Sequence, residues 1–281
     1  MKKFFIALAI LLLVAGSGIC ITILAMNEFN YRKVINSTVV ENTKKVEGSF
    51  SNIEVSDYIN DIELVYITEG EEKVVTKTLE DFSYDIKVEN DTLYVISNNN
   101  RKWYEFYTWV GTSDCKTTIY VKNNTFNNFK CKVETGDIIL KNYSFKSLSI
   151  EMSTGDATLE SINVENDLVL SSSTGDIITK NVNVNGNLNV KASTGDIVLD
   201  NDKVLGNTTI KTSTGSIKFD KFDAQKIEAS TSTGSINGSL VGDHNYEASS
   251  STGSTSYPTP VGNAPLCKLS SSTGSITITK A

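Results

Sequence analysis

The chain has one histidine, His244, in 281 residues. A lone imidazole has no partner at zinc-ligand spacing. Nothing else in the chain resembles a nucleophile elbow or a phosphate-binding loop. Lys and Arg are scattered rather than gathered into the acid/base groove of a polysaccharide lyase. The sequence therefore reads as non-enzymatic, with no cofactor and no metal set. Prolines number 3, all within SYPTPVGNAP at 256–265, so they punctuate one loop and leave long stretches free for unbroken β-pairing. Apolar residues make up 39%, below the usual share for a compact globule. Positive charge is in deficit too: 26 Lys and Arg face 33 Asp and Glu, a formal net charge of −7. That balance excludes the basic face nucleic acid requires. Cysteines number 4. Beyond Cys20 they are Cys115, Cys131 and Cys267, an odd set that cannot form a complete intrachain disulfide framework.

One long apolar run stands out. Phe4 to Met26 reads FFIALAILLLVAGSGICITILAM without a charge. As a helix it would be about 34 Å long, enough for a hydrocarbon core of about 30 Å. A cleaved secretory signal is the competing reading, with Ala15-Gly16-Ser17 as its small-x-small site. The run continues past that site, which favours an uncleaved single-pass anchor over 1–26. Lys2 and Lys3 favour a cytoplasmic N-terminus, whereas Arg32, Lys33, Lys44 and Lys45 pull the other way. The expected placement is a cell-membrane protein with residues 27–281 outside, beginning with a polar stalk over 27–47.

The second half of the chain repeats itself. Thr-Gly words place glycines at 136, 155, 175, 195, 215, 234, 253 and 274, a period of about 20 residues. Aligned on the glycine, four columns are mostly apolar. Seven residues before it stand Phe129, Leu148, Leu168, Leu188, Thr208, Ile227, Tyr246 and Cys267. Five before it stand Cys131, Ile150, Leu170, Val190, Ile210, Ala229, Ala248 and Leu269. The columns two and four residues after it include Ile138, Ile177, Ile197, Leu140, Leu159 and Leu199. Alternate residues are polar, which is the signature of strands with one buried face.

No single unit can bury that face alone, but stacked units can. The pattern predicts an all-β β-solenoid over 123–281, whose coils pile like columns on like columns. Gly supplies a corner where a Cβ would be awkward, and Asn-Gly words such as Asn185-Gly186-Asn187 supply another. The repeated Thr shares the inward parity of the apolar columns. At the repeated Thr-Gly words, T-x-T pairs occur only at Thr212/Thr214 and Thr231/Thr233, which argues against an ice-binding array. After the glycine stand Asp137, Asp156, Asp176 and Asp196, then serines. Stacked carboxylates repel by roughly 0.9 kcal/mol per neighbour in water, so this row must face solvent or a cation. Cys131 and Cys267 fall in core columns and read as small hydrophobes.

These STGD words, their spacing and the preceding IYVKNN at 119–124 resemble a bacterial family of adhesin-like β-strand-repeat domains of unknown function. The resemblance covers roughly 48–281. It implies a β-helix anchored at or secreted to the cell surface, in some members tied to envelope stress responses, with no catalytic residues to carry over.

Residues 48–122 alternate well in SFSNIEVSDY, NDIELVYIT, SYDIKVEN and DTLYVIS, and read as opening coils plus a cap. Within them RKWYEFYTWV carries Trp103, Tyr104, Phe106, Tyr107 and Trp109. Such a cluster suits either a cap over the solenoid end or a platform for a partner, and it is the expected partner-binding site. Two functions follow as expectations. One is a surface adhesion or recognition module for a cell-surface glycan or protein. The alternative is a structural or sensory envelope protein acting through a membrane partner.

Overall fold

The structure is a computed structural model describing residues 2–26, 38–100 and 115–281. Its body is the expected β-solenoid. The strands before each glycine form one parallel sheet, in which Leu148 pairs with Leu168, Leu168 with Leu188, and Leu188 with Thr208. The strands after it form a second, in which Ile138 pairs with Ala157, Ala157 with Ile177, and Ile177 with Ile197. The predicted columns are thus real stacks. Phe129, Leu148, Leu168, Leu188, Thr208 and Ile227 are each at most 2% exposed and belong, Thr208 apart, to one continuous apolar core. A third, short side is built by 144–145, 163–164, 183–184 and 203–204, which stack Phe145 on Val164, Val184 and Val204.

Three corners close each coil. At the first, Gly136, Gly155, Gly175, Gly195, Gly215, Gly234, Gly253 and Gly274 hold φ between +128° and +148°. A Cβ on Gly175 would lie 2.0 Å from the carbonyl oxygen of Gly155 in the neighbouring layer. Glycine is therefore required for φ and for the close stacking of backbones. The second corner has no glycine to mark it in the sequence. Asn142, Ser161, Asn181, Asn201 and Lys221 all adopt left-handed φ, between 50° and 64°. The third is the expected Asn/Gly turn, where Asp167 Oδ1 accepts the amide of Asn187 at 2.7 Å.

The buried cysteines behave as small core residues. Cys131 and Cys267 are 1% and 0% exposed, and Cys115 packs against Leu79 and Phe82 in a separate small cluster. All are free thiols.

The chain enters the rod by a detour. Strand 52–57 pairs in parallel with 125–135, although about 70 residues separate them. The intervening chain covers the starting end with antiparallel pairs: 82–89 on 92–99, and 73–79 on 116–121. Residues 39–45, within the expected stalk, are a strand paired antiparallel with 73–79. Its Val39 packs on the Leu79–Phe82 cluster, which gives this polar-looking stretch a reason to order. At the junction Asp57 is buried and accepts from the Tyr84 hydroxyl at 2.8 Å and the Thr117 hydroxyl at 3.0 Å.

Lys2–Met26 is a helix. Its side chains are described without a break only over 12–22. Among the described residues no helix is long and apolar enough to cross a membrane.

The far end departs from simple stacking. The coil containing Gly234 does not meet the one containing Gly253. Strand 217–233 instead pairs with 266–273, and 266–273 pairs with 245–252. The final repeat is thus inserted beneath its predecessor. The side chains explain the order. The last repeat supplies Cys267, Leu269, Ile276 and Ile278, which are at most 2% exposed between two layers. The preceding repeat offers Ala248, Thr255 and Tyr257 at the same positions and is the poorer filling. The loop carrying all three prolines lets the chain step back one layer.

Candidate functional site

A regular surface lies beside the glycine corner. Thr135, Thr154, Thr174, Thr194, Thr214, Thr233, Thr273 and Thr252 are mutually in register from layer to layer. The expected stacking of these threonines is present, but the inward orientation is not. From Thr154 onward they are exposed, because the chain is already turning at the glycine and the last residue of the strand no longer points at the core.

One residue earlier, Ser173, Ser193, Ser213 and Ser232 are exposed as well. Next to them runs a shallow groove of about 520 Å³ across five layers, lined by serines together with Glu151, Lys191 and Lys211. Beneath it Thr212 donates to the Gly195 carbonyl at 3.2 Å and Thr231 to the Gly215 carbonyl at 2.9 Å. From Thr212 onward, hydroxyls in that column (Thr212, Thr231, Ser250 and Ser271) tie the strand to the glycine corner of the neighbouring coil.

The aspartate row is resolved by backbone donors. Asp137 Oδ1 accepts the amide of Asp156 at 2.8 Å, Asp156 that of Asp176 at 2.7 Å, and Asp176 that of Asp196 at 2.7 Å. Asp61, in the coil before the repeats, starts the row by accepting the Asp137 amide at 2.8 Å. Each carboxylate thus takes an N–H that the ladder leaves open at the corner, and this offsets repulsion along the row. Among the described residues no three His, Cys, Asp or Glu side chains converge on a metal position.

Two acids lie inside the rod. Asp57 has its carboxyl held above the usual range, chiefly by burial. Asp202 stands in the third-side column between Val182 and Phe222. It is 2% exposed, takes the Thr179 hydroxyl, and accepts the Val182 amide at 2.7 Å. Burial pushes its pKa up to about 7. Both acids hold structure together, and among the described residues neither opens to a cleft of reacting groups.

The expected aromatic site, Trp103, Tyr104, Phe106, Tyr107 and Trp109, lies outside the described residues. The serine and lysine face is not among the sites expected from the sequence. Its signal was the recurrence of Ser before every Thr-Gly from 153 on, together with Lys191 and Lys211 one period apart.

Solved structures similar to this chain share little sequence with it. One is described as a "putative adhesin" from Bacteroides fragilis, at 15% identity over 88% of this chain and 98% of that one, with a TM-score of 0.38. Another, from Parabacteroides merdae, carries the same description, at 13% identity over 87% and 97%, with a TM-score of 0.42. A third, from Parabacteroides distasonis, is described as a "putative lipid binding protein", at 16% identity over 87% and 98%, with a TM-score of 0.42. No curated protein matches the chain. A family model matches residues 41–279, nearly the whole of the β-structure, and by that match the chain belongs to the Toastrack DUF4097 family.

Proposed function

We propose that the chain is a non-enzymatic surface rod that recognises an extended, repetitive ligand, a cell-surface glycan, along its serine, threonine and lysine face. The in-register exposed threonines and serines carry this reading. They repeat one hydrogen-bonding pattern at about 4.8 Å per layer, and a linear polymer of hydroxylated units offers a repeating counterpart. Lys191 and Lys211 add two donors of positive charge on that face, so an acidic glycan fits it best.

In the same reading the uncharged run from Phe4 to Met26 anchors the rod in the cell membrane as a single pass, with the C-terminal region outside. Its length on the sequence supports this, as does the placement of Lys2 and Lys3 before it.

The test is binding of the full chain, in detergent, to arrayed bacterial surface polysaccharides and to surface proteins. The double variant Lys191→Glu/Lys211→Glu, checked for retained β-structure by circular dichroism, is expected to lose at least about tenfold in affinity for acidic glycans. Unchanged glycan binding removes this face from the proposal. Binding only to proteins replaces the ligand class. A parallel Trp103→Ala/Trp109→Ala variant decides whether the aromatic segment is the contact instead.

A further inference from the structure

The two ends of the solenoid differ. At the starting end, the outermost described strands are 39–45 and 82–89, and both carry charge: Glu41, Lys44 and Lys45 on one, Asp85, Lys87 and Glu89 on the other. Lys45 is bound by Glu71 at 2.6 Å and Lys87 by Glu89 at 3.2 Å. Charged outer strands of this kind resist pairing with another chain.

At the far end, the outermost strand is Asn245–Thr252, which pairs only with 266–273 among the described residues. It contains no Lys, Arg or Pro and a single acid, Glu247. Its coil is open on one side. Ala248 is half-buried, Thr255 is exposed and Tyr257 is 37% exposed, where the same columns one layer down hold Leu269, Ile276 and Ile278 at 2% or less. Val241 and Val261 add apolar surface nearby at 39% and 42%. His244 and Tyr246 are buried at this end, with the Tyr257 ring stacked on Tyr246 at 5.7 Å, but the aliphatic columns stop there and the sheet edge beside them has no partner among the described residues.

We propose that this open end is closed by the same end of a second copy, the two Asn245–Thr252 strands pairing antiparallel about a two-fold axis. The side-chain pattern selects this partner. Inward faces remain continuous only when paired residues have the same parity. With Ala248 on the axis, Ala248 meets its own copy, Tyr246 meets Ser250, and Glu247 meets Ser249. No acid faces an acid. An in-register parallel pairing would instead set Glu247 against Glu247.

Since the charged starting end blocks head-to-tail growth, the contact is a closed dimer rather than a filament. Two collinear rods would place their N-terminal helices at opposite ends. If the helix anchors each chain, as in the reading above, the dimer bridges two membranes.

The experiment uses the full chain in detergent. Cys20, the one exposed thiol among the described cysteines, is first replaced by Ala. In that background Ala248→Cys is expected to form a disulfide-linked dimer on mild oxidation, and Ser173→Cys, at mid-rod, to remain monomeric. Sedimentation should show a dimer for the wild type and at least about a tenfold weaker one for Ala248→Lys, which sets two lysines across the axis. A wild type that sediments as a monomer, or equal cross-linking at positions 173 and 248, overturns the proposal, whatever other strand then occupies the edge. Vesicles carrying the chain test the anchor separately. Dimerisation in detergent without vesicle clustering leaves the dimer standing and removes the membrane bridge.

Discussion

The Oδ1 atom of Asp176 lies 2.7 Å from the backbone nitrogen of Asp196, one layer along the rod. A single acceptor atom is all this contact uses, so the charge itself is incidental. Asp176→Asn keeps an acceptor in place and removes repulsion along the row, and its stability should stay within about 0.5 kcal/mol of wild type. Asp176→Ala strands the Asp196 amide at an exposed corner and should cost about 1 kcal/mol. Urea denaturation of both variants checks the pair. Added chelator should change neither midpoint, because each Oδ1 of the row already accepts a backbone amide; a midpoint that falls with chelator would reveal a cation on the row.

At Gly175 the demand is steric. A methyl group there would stand 2.0 Å from the Gly155 carbonyl oxygen at φ +130°. Gly175→Ala combines a left-handed penalty of about 1–2 kcal/mol with overpacking of about 1–3 kcal/mol. A loss of roughly 3 kcal/mol or more is expected in chemical denaturation, against almost none for Ser173→Ala two residues away. A near-wild-type Gly175→Ala protein would show that the layers can part at the corner.

Thr208 is the one polar member of its apolar column, 1% exposed, with a hydroxyl that has no partner. Burying an unpaired hydroxyl costs about 1–3 kcal/mol on protein scales. Thr208→Val keeps the shape, so the variant should be more stable by about 1 kcal/mol, read as a higher midpoint with an unchanged denaturant slope.

The period, the two long sides and most core columns were legible because each column repeats one chemical character, as Leu168 and Leu188 do. The Gly and Asn/Gly corners were legible for the same reason. The corner at Asn142, Ser161, Asn181, Asn201 and Lys221 was not, because Ser and Lys rarely take left-handed φ and no glycine marks it. The inserted last repeat was hidden by its own regularity, since near-identical units stack acceptably in either order. Only the contrast between Ile276 and Thr255 hinted at which belongs inside. The threonines share the sequence parity of the core columns and yet are exposed, because parity stops predicting direction where a strand begins to turn. The starting end hid its pairing in another way. Alternation marks a strand, yet says nothing of which neighbour it takes, and 39–45 had too few apolar residues to stand out.

Asp202 gives the rod a pH dependence of unusual sign. Its folded pKa, about 7, lies above the ordinary carboxyl value of 3.8 because burial disfavours the charge; the Thr179 hydroxyl and Val182 amide oppose that shift, and the nearby Asp200 adds to it. A raised folded pKa means the native state holds the proton after the unfolded chain has released it. The stabilisation from Asp202 is therefore complete below about pH 4, declines as pH rises, and is gone above about pH 7. Exposed acids paired with lysines work the other way: Glu160, bound by Lys141 at 3.0 Å, has its pKa lowered, and its contribution is lost as pH falls. A bare pH profile of the wild type would mix these signs, so the comparison must be a difference. Asp202→Asn keeps an acceptor for the Val182 amide and carries no charge at any pH. Between pH 5 and pH 8 the stability of this variant relative to wild type should rise by roughly 2–3 kcal/mol, at about 1.4 kcal/mol per pH unit below the folded pKa of about 7. Urea midpoints for the two proteins across that range decide it. Parallel profiles would mean that Asp202 reaches water and titrates as an ordinary carboxylate.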